Sequence, residues 1–179
     1  EVIFLPTHTA STACPGKIFT VEMHHKRIEA GMSGDNIGMN VKALNKENMP
    51  RVGDVMIYKT DDSLHTSTNF SAQLQVLDIP GSIKAGYSPI GHVRCGRAAC
   101  RVVQFNWRMG KDTANEKVEG AVELKTNDAA EVVFVPQQPL VVDTFSNCEG
   151  LARIAFLDGN SAVMLGKVQA VNIDGMPLK

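Results

Sequence analysis

Apolar and polar residues along this chain recur with the short period of strands, and helical periodicity is nearly absent. Short runs rich in Val, Ile, Phe and Thr are broken by Gly, Pro, Asn and Asp. That pattern predicts an antiparallel sandwich or barrel. The first strands are expected at residues 2–5 and 17–23, joined by the turn Ala13-Cys14-Pro15-Gly16, then at 37–41 and 55–58. Residues 60–68 are polar and without period, and read as the linker between two barrels. Beyond it, 70–79 and 94–108 read as long strands and 131–135, 140–143, 153–157 and 162–171 as shorter ones, with 110–120 a charged, exposed loop. The only helical candidates are two short stretches, 24–31 and 44–49.

The chain has 179 residues, enough for one large or two small domains. Its net charge of -1 and pI near 6.6 exclude a uniformly basic nucleic-acid binder but leave room for a local basic face. No apolar run approaches the roughly 20 residues that span a bilayer, and the first residues lack the basic start of a signal peptide. Cys14, Cys95, Cys100 and Cys148 follow no zinc spacing and read as reduced thiols of a cytosolic protein.

Catalytic motifs are missing from the sequence. It has no phosphate loop ending in Gly-Lys-Ser/Thr, no Asn-Lys-x-Asp and no Gly-x-Ser-x-Gly, and its Ser, His and Asp residues show no recognisable spacing. The pair His24-His25 invites a metal reading. Read as a strand end, however, the two rings point to opposite faces, one outward and one packed.

The informative block is Val21-Glu22-Met23-His24, a short basic excursion, and Gly34-Asp35-Asn36-Ile37-Gly38. It resembles the second domain of the elongation factor 1-alpha/EF-Tu family. The resemblance continues through Ile79-Pro80-Gly81, Gly86-Tyr87-Ser88-Pro89, Ala99-Cys100, Asp128-Ala129-Ala130 and residues 163–166, which are similar to that family's third domain. Residues 6–12, Arg94-Cys95-Gly96-Arg97 and Asn147-Cys148-Glu149-Gly150 look most like the divergent eukaryotic group called elongation-factor-like protein. The implied fold is all-β, with two antiparallel β-barrels of the domain II and domain III type: residues 1–62, a linker at 63–69, residues 70–172 and a tail at 173–179. The family's second domain normally starts a few strands earlier, so the first barrel is expected to be truncated at its N-terminus, with an open edge.

The resemblance implies aminoacyl-tRNA binding, with the GTPase activity, GTP and Mg belonging to the parent protein. Glu22 matches a position lying against the terminal adenosine, where a carboxylate accepts from a ribose 2′-hydroxyl. Asn36 matches an amide that recognises the esterified amino acid. Arg51 matches an arginine near the 5′ phosphate, and Arg94 one against the T-stem backbone. The plainer readings are a solvated strand end for Glu22, a left-handed turn residue for Asn36, a charge before the Gly53 turn for Arg51 and a solvated face for Arg94. On a strand, Arg97 and Arg101 would share one face and Arg94 the other. One departure weakens the match, because the family's Arg-Phe-Ala-Val-Arg-Asp strand stands here as Arg153-Ile154-Ala155-Phe156-Leu157-Asp158. Leu157 replaces an arginine of the T-stem grip.

The expected partners are aminoacyl-tRNA, the ribosome and a GTPase domain in cis, with an exchange factor and actin as further candidates and no membrane. Two rivals remain: the barrels of a release-factor or rescue GTPase, and a protein-interaction module. The Val21-Glu22-Met23-His24 block argues against the first.

Overall fold

The computed structural model describes residues 1–8 and 16–172. The turn at 13–16 (Gly16 apart), Cys14 and the tail at 173–179 lie outside them. The chain separates into two compact units, Glu1–Leu64 and His65–Lys179.

In the first unit, β1 (Val2–Leu5) pairs antiparallel with β5 (Val55–Tyr58). A second sheet has β2 (Lys17–Met23) between β3 (Lys26–Ile28) and β4 (Gly38–Lys42). A Val2–Gly16 bridge links the two sheets. Among the described residues, the buried apolar side chains of this unit are only Val2, Leu5 and Ile57, while Phe19, Met32, Met49 and Tyr58 are exposed. With so little apolar surface removed from water, much of this unit's cohesion must come from hydrogen bonding. Buried His8 supplies part of it. Its Nδ1 accepts from the Phe4 amide at 3.1 Å, which leaves Nε2 to donate to the Asn48 carbonyl at 2.8 Å.

Residues 24–31 do not form the expected helix. His24 and His25, with φ of 50° and 62°, make a two-residue turn between paired Met23 and Lys26, and both are exposed. Positive φ at both central positions is what a type I′ hairpin demands. The reading of one packed ring and one free ring is therefore corrected. The second helical candidate shrinks to a single 3-10 turn, Lys46–Asn48, capped by Asn45 Oδ1 accepting from the Glu47 amide.

The second unit is built on a closed six-stranded antiparallel barrel. Its strands are β6 (Asn69–Val76), β8 (Ile90–Val93), β9 (Gly96–Met109), β11 (Ala129–Pro136), β12 (Arg153–Asp158) and β13 (Ser161–Asn172). The ring runs β11-β6-β13-β12-β8-β9 and returns to β11, and β6 meets β13 from Asn69↔Asn172 onward. Two short strands, β7 (Ile83–Lys84) and β10 (Glu123–Leu124), pair outside the ring. Strand alternation sends Ala72, Leu74, Val102, Val132 and Met164 inward. Phe134 stacks between Phe70 at 5.5 Å and Phe156 at 4.3 Å. Register shifts along the β9–β11 ladder mark the bulges that curve a sheet into a cylinder.

Two sequence expectations fail here. Residues 140–143 are buried but form no strand, making single backbone bonds to Ser67 and Leu151 instead of a ladder. The one α-helix among the described residues, α1 (Glu149–Ala152), has four residues and no sequence periodicity to announce it.

Candidate functional site

Glu22 lies near the end of the central strand β2, opposite Arg27 on β3 and Gly38 on β4. Its side chain is exposed, and no hydrogen bond or ion pair engages it among the described residues. Asn36 lies two residues before Gly38, so the register brings it to the same end of the sheet. The loop holding it is fixed without it: Asp35 Oδ2 accepts from the Met32 amide at 2.8 Å, and the Asp35 amide donates to the Met32 carbonyl at 3.1 Å. Gly34, with φ of 98°, takes the left-handed position, so Asn36 is not spent on backbone geometry.

Arg51 starts the turn into β5. Its carbonyl accepts from the Asp54 amide, its own amide donates to Asp54 Oδ2 at 2.9 Å, and Gly53 supplies φ of 101°. The guanidinium is exposed. His8, by holding Asn48, anchors the segment leading into this turn. Arg51 thus leads into a different sheet from the one that carries Glu22 and is entered by the Asn36 loop, with no hydrogen bond or ion pair joining them among the described residues. The hairpin tip His24–Arg27 adds exposed basic groups beside Glu22, next to an open groove walled by Phe19, Val21, Arg27 and Ile28.

In the second unit Arg94 is not on a strand. It is the first residue of the two-residue turn joining β8 to β9, with φ of 53°. Its Nε donates to the Gly150 carbonyl at 2.9 Å. The guanidinium fills the space a Cβ on Gly150 would need, since such an atom would lie 3.0 Å from Nη2. Arg97 and Arg101 lie on β9 and are both exposed, on one face as alternation requires. Leu157, opposite Ile90, leaves its position without charge.

A second cationic group, missed in the sequence, gathers around the same short helix. Arg153 Nη2 donates to Glu149 Oε1 at 2.6 Å, and Arg153 stands directly opposite Lys167. Both cations approach the Phe145 ring, Lys167 Nζ at 3.8 Å and the Arg153 guanidinium at 5.5 Å. The register continues from Lys167 to Gln73, Glu131 and Trp107, a polar row across five strands. Only the cross-strand pairing, absent from any local motif, could have disclosed it.

The described residues contain no group of three or more His, Cys, Asp or Glu side chains able to hold a metal ion. The perturbed groups have structural causes. A hydrogen bond from Arg108 holds the Asp112 carboxyl below its usual range, and burial pushes the Cys100 thiol up to about 11. Arg108 also faces buried Asp128 at 3.6 Å, and Asp128 Oδ2 accepts from the Lys125 amide at 2.8 Å, which ties the 110–128 segment to the barrel.

A closed six-stranded antiparallel barrel in one unit and two small antiparallel sheets in the other define the chain as an all-β, barrel-containing protein. Residues 69–169 match the family described as GTP-eEF1A C-terminal domain-like, and the chain belongs to that family of translation-factor barrels. Elongation factor 1-alpha of Methanosarcina barkeri is 32% identical over 171 residues, covering 96% of this chain and 39% of the relative. The Ignicoccus hospitalis protein of that name is 33% identical over 171 residues, covering 96% and 37%. That of Eremothecium gossypii is 34% identical over 155 residues, covering 87% and 34%. The chain therefore spans little more than a third of the length of these relatives. The crystal structures of sup35 complexed with GDP and with GMPPNP share the fold. Their TM-scores are 0.81 and 0.82 at 20% and 18% identity, covering 96% of this chain and 40% of theirs. No helix among the described residues is long and apolar enough to cross a membrane.

Proposed function

We propose that the chain forms the aminoacyl-tRNA-binding barrels of a GTP-dependent elongation factor acting at the ribosomal A site in the cytoplasm. In this reading residues 1–62 belong to the domain II barrel and residues 70–172 to domain III. A GTPase domain in cis supplies GTP and Mg chemistry, and an exchange factor and actin are secondary partners. The chain itself binds and does not catalyse.

The observation that supports the reading is that Glu22 faces Gly38 at one end of the β2–β4 ladder, with Asn36 two residues before Gly38. Glu22 and Asn36 are both exposed, and neither is consumed by a turn or an ion pair among the described residues. A carboxylate and an amide at the same end of one sheet suit a ribose 2′-hydroxyl and an ester's neighbouring polar groups. Arg51 and Arg94 would take phosphates, and Lys167 with Arg153 would supply the contact that Leu157 cannot.

The test is binding of aminoacylated and deacylated tRNA to the full-length factor with GTP. Glu22→Ala should cost about 1.5–3 kcal/mol for the aminoacylated form and Asn36→Ala about 0.5–1.5 kcal/mol. Lys167→Ala should weaken both forms alike and lower the salt slope by about 1. Equal affinity of the unmutated factor for the two tRNAs would overturn the proposal.

A further inference from the structure

At one end of the barrel a cavity of about 290 Å³ opens between the segment following β6, the strand β7 and the turn joining β12 to β13. Its apolar walls come from Ile79, Pro80, Ile83 and Val163, of which Ile83 and Val163 are buried. Its polar lining residues are Asp78, Ser82, Tyr87, Asp158 and Ser161. That volume sits at the lower limit of roughly 300 Å³ for pockets that take drug-sized ligands. It suits one side chain rather than a cofactor.

The cavity is firmly built. The Tyr87 hydroxyl donates to Asp158 Oδ2 at 2.8 Å, which fixes that carboxylate and leaves Oδ1 for another donor. Partial burial and this bond push the Tyr87 phenol up to about 12, so it remains a donor across the physiological range. Thr126 Oγ1 accepts from the Ile79 amide at 3.3 Å and lies 3.4 Å from the Ile79 carbonyl, holding the opposite wall. Asp78 is exposed and has no ion-pair partner among the described residues. On the far side of Ser82, Glu123 lies 3.8 Å from Lys84 and 3.9 Å from Lys125, so those cations are already partnered.

We propose that this cavity is a socket for an arginine side chain presented by a partner protein. Both carboxylates are exposed and have no ion-pair partner among the described residues, so charge complementarity favours a positive occupant. The walls decide between cations: a guanidinium is planar and weakly hydrated and lies against aliphatic surface, whereas an ammonium is compact and strongly hydrated. Asp158 Oδ1 and Asp78 then accept from the guanidinium, and Ile83 and Val163 pack against its plane and stem. The socket lies on the second unit alone and does not depend on the RNA-binding reading of the first.

The test uses the isotope-labelled 179-residue chain. The probes are acetyl-Ala-Ala-Arg-Ala-Ala-amide, the same peptide with lysine, and the same peptide with citrulline, the neutral near-isostere of arginine. The arginine peptide should shift the Ile83 and Val163 methyl resonances saturably. Lysine should bind several-fold more weakly, and citrulline at least tenfold more weakly. Asp158→Asn and Asp78→Asn should each weaken the arginine response at least fivefold, with unchanged shifts at the Phe134 ring as the check on folding. Asp78→Asn leaves the Tyr87 bond intact and stands as the second variant if Asp158→Asn disturbs the fold. Equal binding of the citrulline peptide, shifts confined to other surfaces, or full binding by Asp78→Asn would each overturn the proposal.

Discussion

Tyr87 and Tyr58, the two tyrosines of the chain, differ in what surrounds them: Tyr58 is exposed, whereas Tyr87 is partly buried and bonded to a carboxylate. Partial burial, and then the bond to the Asp158 carboxylate, disfavour the phenolate and raise the folded-state value to about 12, above the ordinary value of 10. The bond therefore contributes stability fully below about pH 10 and loses it as pH rises through about 12. Ultraviolet titration should show a phenol transition near 12 that Asp158→Asn brings down. The absence of any transition above about 10 would contradict the described environment. At this scale the sequence named candidate residues but not their engagement. Among the described residues the side chains of Glu22, Asn36 and Arg51 are exposed and have no hydrogen-bond partner, whereas Arg94 is turned onto Gly150, and His8, unremarkable in the sequence, is buried between two backbone partners.

Among the elements, those with a clean two-residue alternation were legible. The strands at 2–5, 17–23 and 55–58 appear at the expected positions, and those around 70–79, 153–157 and 162–171 differ by a few residues at their ends. Elements decided by turns were not. The strand expected at 94–108 starts at Gly96 instead, because Arg94-Cys95 is the turn joining it to β8, and a left-handed arginine is invisible in a hydrophobicity pattern. Residues 140–143 read as a strand because burial alone produces an apolar run, while ladder pairing is a tertiary property. The His24-His25 turn carries its own prediction. Both residues hold positive φ, which costs a non-glycine residue conformational energy. Replacing the pair by Asn-Gly should raise the stability of the first unit by about 0.4–1 kcal/mol in thermal or urea melting. A loss of stability would show that the imidazoles make contacts that outweigh the backbone cost.

Across the whole molecule, the two units differ in how they are held. The barrel has no free edge in its ring and a stacked aromatic core, whereas the three-stranded sheet of the first unit has β3 and β4 as edges and most of its apolar residues at least partly exposed. Native-state hydrogen exchange should therefore show amides of β6, β11 and β13 protected far more strongly than those of β2 and β4, which open locally. Comparable protection in both units would contradict this contrast in burial. The all-β class was legible from periodicity and the barrel from the family resemblance, but the order of the six strands round the ring was not. Closure depends on which strand meets which, and the order β11-β6-β13-β12-β8-β9 follows no sequence order.

That ring has a further consequence at β6 and β13. The Thr68 amide donates to the Asn172 carbonyl at 2.9 Å, and Asn69 faces Asn172, so the chain enters and leaves the cylinder through one doorway. A cylinder whose two ends meet is topologically a loop of string laid round a drum, and the place where the string is cut is not dictated by the packing. New ends opened in the exposed 114–117 segment, with a short bridge from 172 to 69, should leave every ladder intact. Such a cylinder can be spliced into a longer polypeptide as a self-contained bead, adding width to the host at a single point and almost nothing to its contour.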